Sequence, residues 1–585
     1  MPTILTHKFK YKNATSVRRL FHDVDDKGNL KHHVYLFIAR NRAWGNGDTP
    51  EDPNTLVSLQ DEMDVYNDII VLKKLSASDV SIIVPQYKWV SGTGYTTWEH
   101  NDSTIFDRDG DPTQPFYVVT QESSGDWSVW KCLMNVNGES STVEPTISSN
   151  LSDKHIKSSN DGFVWKYMYS ISNAQYLKFG GSEVEINGNK WMPIKTLFAA
   201  PSAVDNNSTT SQWDVQRQAV HGGVHLVKPT TSIITAGSFV VGKTYTIVSI
   251  GTTDFTLIGA DSNPAVGEIF TATGLGSGDG TARGLATTYT STDEGKLVRL
   301  DGDGTGFEAD ISTIVIGGNT HYYVNITDPG QDYTYVRRVM VQQNSGGSSS
   351  FPSDFDADTS LSAILAPIGG HGWDAVEELG GHRMMIYTTL PGNTDFGEQG
   401  TGYQHKYADD VDTDYRTVGL LVDPIKSRDG YDDIVNGATK GEVVMTGDRQ
   451  LEPDATNVAR LHYTGTFTTN LADAEWIGKE VMQVGSNGTF QAIGRVVDHD
   501  PVGDYFYVIP YAGTTIHTQF EADTSAPVYV HNTNGTLDTS NSFTVDAVKP
   551  NDILPFSGDI IYLDNRAKIT RDEGKTETVR IIIEF

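Results

Sequence analysis

Short apolar runs recur along most of this chain, cut off about every 8 to 12 residues by glycine, asparagine, aspartate, serine or threonine. That spacing belongs to antiparallel strands joined by tight turns, so the chain is expected to be mainly β. Residues 116–119, the turn residues Ser124, Gly125 and Asp126, and residues 127–134 read as a hairpin. Phe163, Trp165, Tyr167 and Tyr169 alternate along a later run and are assigned to the core face of a strand. Helices are few. Leu59, Met63, Tyr66 and Ile70 form a helical stripe, with Asn54 as its N-cap and Lys73 and Lys74 near its C-terminal dipole. Residues 373–379 read as a short helix stopped by Gly380 and Gly381, with 384–390 extended beyond it.

At 585 residues the chain is too long for one hydrophobic core, and three or more domains are expected. The formal net charge of -31 argues against nucleic acid as a partner, because phosphate binding runs through Lys and Arg. Cys132, the single cysteine, excludes an intrachain disulfide and a thiolate metal cage; in its aromatic strand it reads as buried and inert. The first residues carry no secretory core, and no window approaches the roughly 18 apolar residues of a membrane span. The expectation is a cytosolic product or particle component with no membrane and no nucleic-acid partner.

Near the end of the sequence stands Ser557-Gly558-Asp559-Ile560-Ile561-Tyr562-Leu563-Asp564-Asn565-Arg566, followed by a polar link and Arg580-Ile581-Ile582-Ile583-Glu584-Phe585. Earlier come Val34-Tyr35-Leu36-Phe37-Ile38-Ala39-Arg40 leading to Trp44, then Val84-Pro85-Gln86-Tyr87-Lys88-Trp89. Trp127-Ser128-Val129-Trp130-Lys131-Cys132-Leu133, Asp161-Gly162-Phe163-Val164-Trp165-Lys166-Tyr167 and Tyr415-Arg416-Thr417-Val418-Gly419-Leu420 complete the series. In order and spacing these segments resemble the gene-eight baseplate wedge protein family of T-even-like contractile-tailed phages. The resemblance implies a non-enzymatic structural subunit of the virion's tail baseplate, assembled in the host cytoplasm. It further implies a homodimer that links neighbouring wedge proteins and takes part in baseplate assembly and rearrangement on contraction.

Against that family's shorter pattern, extra length lies between Tyr169 and Tyr415 and between Pro424 and Ser557. The expected architecture is multidomain and mainly β, with a discontinuous α+β body and inserted β-sandwich or barrel-like domains. Residues 1–200, 351–435 and 550–585 are assigned to the body. Residues 201–350 form one β insertion with a small nested module at about 235–285, and 436–549 form the second. Ser345-Gly346-Gly347-Ser348-Ser349-Ser350 reads as a flexible link returning the chain to the body. The terminal run from Thr578 is too apolar for a free tail and is expected to be buried beside strands of the N-terminal half.

Several patterns imitate functional motifs. Gly237, Gly242, Lys243 and Thr244 have phosphate-loop spacing, but strand-like residues stand where the motif needs a helix. Asp301, Asp303 and Thr305 open like a calcium loop that then has Ser312 at the twelfth position, and a turn is expected. Asp107, Asp109 and Asp111 alternate, but Pro112 replaces the required glycine, which reads as a polar loop. His221 and His225 are four apart across glycines, and His371 and His382 flank the short helix; neither pair is assigned a metal or catalytic role. The clusters Gly274, Gly276, Gly278, Gly280 and Gly302, Gly304, Gly306 lack the strand-to-helix setting of a dinucleotide site. No catalytic, cofactor-binding or metal residue and no cofactor is therefore assigned. The competing reading is a host-surface glycan-binding adhesin or depolymerase of the tail, suggested by the aromatic, Asn/Asp/Gly-rich insertions.

Overall fold

The computed structural model describes residues 5–585 apart from 26, 54, 136–139, 148–155, 159–160, 181–184, 187–188, 195–222, 230–232, 240, 242–243, 267, 285–288, 317–318, 359–360, 369, 391–412, 427–450, 452–453, 486–490, 512–519, 533–534, 555 and 572–575. The fold is multidomain and β-rich, with several sheets and a closed barrel. Two compact units can be distinguished. The first comprises Met1–Thr15, Ser81–Met384 and Ile583–Phe585; the second comprises Ser16–Val80 and Met385–Ile582.

The second unit is built on a five-stranded antiparallel sheet. Its order is Asp454–Thr456, Ile69–Lys74, Val34–Ala39, Thr413–Val422, Asp559–Arg571. All six side chains of Val34–Ala39 are buried, which suits a central strand covered on both faces. Tyr35, Phe37, Leu72, Leu421 and Ile553 pack into one core there. Gly419 lies opposite Phe37, and a Cβ at 419 would sit 2.2 Å from the ring, so only glycine leaves space for it.

The helix expected to run through Ile70 is shorter, spanning Leu59–Tyr66. Its N-cap is Ser58, whose hydroxyl accepts from the Asp61 N–H while the Asp61 carboxylate accepts from Ser58 in return. Asn54 lies outside the described residues. Ile70, Lys73 and Lys74 belong to the strand Ile69–Lys74, because the β-branched run after Asn67 and Asp68 pairs with Val34–Ala39 instead of extending the helix.

The same unit carries the barrel. Its strands run in the order Ala459–Thr468, Tyr505–Pro510, Gln491–Asp500, Glu480–Val484, Val528–His531, Leu537–Lys549, with the last closing on the first. Trp476, Phe506 and Phe543 fill the interior, the two phenylalanines stacked at 4.2 Å. Of the two architectures expected for 436–549, the part from Ala459 onward is therefore the barrel, whereas Asp454–Thr456 pairs with Ile69–Lys74 in the five-stranded sheet; 436–450 lie outside the described residues.

In the first unit the expected hairpin forms from Tyr117–Gln121 and Trp127–Asn135, and Phe163–Ile171 pairs with the latter. Phe163 and Trp165 are buried beside Trp130 and Cys132. A second sheet holds the long hairpin of Thr305–Ile316 and Asn319–Gln331. In that sheet Val336–Gln342 pairs with Phe355–Asp358, so the Ser345–Ser350 stretch is the turn between two paired strands and not a link to another part. The Gln342 side-chain amide donates to the carbonyls of Gly347 and Ser348, which fixes the turn.

The small module is a four-stranded sheet, in the order Ile233–Thr235, Thr281–Gly284, Thr244–Ser249, Ile269–Thr271. It has its own core of Phe239, Tyr245, Phe255 and Phe270. The short helix spans Ala375–Leu379, capped by Asp374 and ended by Gly380 at φ 84°, and Arg383–Leu390 is extended beyond it.

The terminal strand Glu577–Glu584 pairs with Arg383–Leu390, a strand from the middle of the chain, and stands at the edge of its sheet. Only Val579 and Ile581 are buried along it. The expected burial is thus confined to alternate positions, because successive side chains point to opposite faces of the sheet and only one face is covered there.

Candidate functional site

The sequence-singled residues scatter. Lys243 and His221 lie outside the described residues; Thr244 opens a strand where a phosphate loop needs a helix, and His225 lies on the strand Val224–Pro229. Asp301 receives Arg337 at 2.9 Å and Arg338 at 3.0 Å. Asp303 accepts from the Thr334 hydroxyl and from the backbone N–H groups of Thr334 and Tyr335, which hold its carboxyl down to about 2. Asp301 thus pairs across the sheet with its neighbouring strand, and Asp303 ties the turn before Thr305 to residues 334 and 335.

Asp107 folds its own loop, accepting from the backbone N–H groups of Asp109, Gly110 and Asp111 at 2.9 Å each. Burial alone would raise its carboxyl, but these donors outweigh burial and leave it lowered. Asp111 receives both terminal nitrogens of Arg383, which also reaches Glu584 at 3.2 Å. His382 is buried beside this group, with Nδ1 2.9 Å from the Gly380 carbonyl; burial, then the Arg383 charge, lowers its pKa.

His371 belongs to a separate interior cluster. The Lys131 ammonium contacts the Glu378 carboxylate, whose other oxygen accepts from the Gly372 N–H at 2.8 Å. Trp98 lies 4.7 Å from the ammonium and edge-on to His371 at 5.1 Å. Burial, then the charges of Lys131 and Lys166, push His371 well below its ordinary range, so its imidazole is neutral. Burial also lowers Lys131, against the opposing pull of Glu378. The Lys131 side chain is 0% exposed and that of Glu378 3%, so the pair is sealed away from any substrate.

A different place combines exposure with polar organisation. In the second unit a cleft of about 220 Å³ is lined by Arg40, Trp44, Asp61, Asp64, Asp68, Thr417, Leu563 and Asn565, among others. Arg416 projects from Thr413–Val422 and grips Asp48 with Nε and Nη2, each at 2.6 Å, while Nη1 donates to the Asn41 carbonyl at 2.9 Å. That bidentate bond holds the Asp48 carboxyl down to about 2.

Thr417 donates to Asn565 at 3.0 Å, and Asn565 donates to the Glu51 carbonyl at 3.1 Å. The Trp44 indole N–H donates to the Arg566 carbonyl at 2.9 Å, and the Arg40 guanidinium stacks on the Trp44 ring at 3.9 Å. On the far side of the cleft Asp68 receives Arg40, Arg42 and, at 2.8 Å, Arg495 from the barrel.

The arrangement fastens one loop to a sheet edge and has the chemistry of a recognition surface. It presents no nucleophile with an adjacent base. Among the described residues no group of three His, Cys, Asp or Glu side chains could hold a metal ion. Sequence reasoning singled out none of Asp48, Arg416 or Asn565 as functional. The available signal was polar residues at fixed places in otherwise apolar runs, Arg416 after Tyr415 and Asp564-Asn565-Arg566 after Leu563. No protein-family model matches the chain, and no curated protein matches it.

Proposed function

We propose that the chain is a structural wedge subunit of a contractile phage tail baseplate, a homodimer that links neighbouring wedge proteins and shares in the baseplate's rearrangement on contraction. One observation carries the reading. Val34–Ala39, Thr413–Val422 and Asp559–Arg571, which hold three of the segments resembling that family, are consecutive strands of one sheet. Residues from all three, Ala39, Thr417 and Asn565 among them, line the same cleft. A stiff, multidomain β-rich chain suits a part that carries load and contacts through its faces.

Purified tails of the phage encoding this chain should contain it, as detected by peptide mass spectrometry. The isolated chain should sediment at twice its 64.0 kDa mass. Absence from the tails, or a trimer that cleaves host glycans, would replace this reading with a surface depolymerase.

A further inference from the structure

The stretch 41–53 crosses the edge of the five-stranded sheet with a single buried side chain among those described, Trp44 at 7% exposure. Its backbone turns sharply at Gly47 and Asp48, both at positive φ. Apart from Arg40 stacked on Trp44 and Arg42 paired with Asp68 where the segment begins, the fastenings named above are hydrogen bonds and an ion pair from two neighbouring strands. Arg416 belongs to Thr413–Val422, and Asn565 and Arg566 belong to Asp559–Arg571. Asp559–Arg571 is the last strand of the sheet, and Arg566 lies where its ladder with Thr413–Val422 skips from Asn565 to Ile569, so the Trp44 bond covers a backbone acceptor on the sheet's outermost strand. A segment with one buried side chain opens at far lower cost than the sheet beneath it, because water replaces its polar contacts.

We propose that 41–53 is a releasable strap whose latch is the Asp48–Arg416 pair. Fastened, it walls the cleft above Thr417 and Leu563 and caps the outermost strand at Arg566. Released, it opens the cleft and bares that acceptor while the remaining strands stay paired. The assignment goes beyond the baseplate reading and stands or falls without it.

Hydrogen exchange with mass spectrometry on the full chain tests it, comparing wild type with Asp48→Asn. Asparagine keeps the size of aspartate and tolerates the positive φ at 48, so the change removes the charge and one of the two accepting oxygens while leaving the backbone unstrained. Exchange across 41–53 should rise about tenfold or more, as expected for loss of a charge-assisted bidentate contact. Val34–Ala39 and Thr413–Val422 should keep wild-type protection. Asn565→Ala, which cuts the Glu51 anchor together with the Thr417 hydrogen bond beneath the strap, should give a smaller rise in the same segment. Unchanged exchange in 41–53, or a rise spread evenly over the sheet in either variant, overturns the strap.

Discussion

Arg416 and Asp48, 368 positions apart in the chain, meet as a fork on a carboxylate, with both contacts at 2.6 Å. The guanidinium is 4% exposed and the carboxylate 29%, so the contact is reached by water from one side only. Charge-assisted bidentate geometry explains how one residue can hold a loop of mostly exposed side chains.

Acid should undo this contact. The Arg416 hydrogen bond lowers the Asp48 carboxyl from 3.8 to about 2, assisted by the Trp44 N–H and the charge of Lys568, which itself pairs with Asp414 at 3.2 Å. A depressed folded-state pKa contributes stability that is fully present above 3.8 and is lost as pH falls through about 2. In fluorotryptophan-labelled protein the Trp44 resonance, assigned with Trp44→Phe, should move to an exposed position across that window. Asp48→Asn should show no such acid transition; an identical transition in the variant would place the titrating group elsewhere.

The interior Lys131–Glu378 pair makes a contrasting prediction. Lys131→Met or Glu378→Leu alone leaves one charge buried without its partner and should cost about 3–5 kcal/mol in denaturant melts. The double variant replaces both charges with apolar groups and should recover most of that loss. Additive losses in the double variant would show that the pair is not coupled.

Deleting 233–284 should leave the rest of the chain folded. The first and last strands of the module are neighbours, with Ile233 opposite Arg283, so the chain enters and leaves at one place and a short joint can close the gap. Its core of Phe239, Tyr245, Phe255 and Phe270 is its own. Scanning calorimetry should show one transition lost and the others unmoved; a general fall in melting temperature would make the module part of a larger core.

Trp476→Ala should destabilise the barrel by about 3–5 kcal/mol, the usual cost of emptying a buried aromatic site. Trp476 is fully buried, its ring 4.9 Å from that of Phe506. Hydrogen exchange should locate the loss in Ala459–Lys549, and barrel protection that survives the substitution would refute it.

Periodicity revealed what depends on neighbouring residues. The hairpin around Gly125, the short helix read at 373–379 with its glycine stop, and the β character of the chain are all visible as alternation, glycine stops and turn residues; that Asp374 caps the helix is seen only in the structure. Leu59–Tyr66 was visible too, but its end was not. The helical stripe continues by chance through Ile70, and only pairing with Val34–Ala39 decides that Ile69–Lys74 is a strand. The cleft was harder still. Asp48, Arg416 and Asn565 are unremarkable where they stand in the sequence, and the contacts of Asp48 with Arg416 beside the cleft and of Asn565 with Thr417 within it depend on strand order and register, which periodicity does not encode.

The central sheet also sets a timetable for synthesis. Val34–Ala39 can pair with Ile69–Lys74 almost as soon as both emerge, but its other flank waits for Thr413–Val422, which in turn waits for Asp559–Arg571. Val34 and its partner Val422 are 388 positions apart, so at about 5–20 residues per second the wait lasts roughly 20 to 80 seconds. Throughout that interval the nascent chain carries an apolar strand with one unsatisfied flank, a template for pairing with the wrong neighbour on a crowded polysome. That flank stays open until Thr413–Val422 emerges, and slow decoding between the two halves of the sheet would lower the yield of native protein without altering a single contact in it.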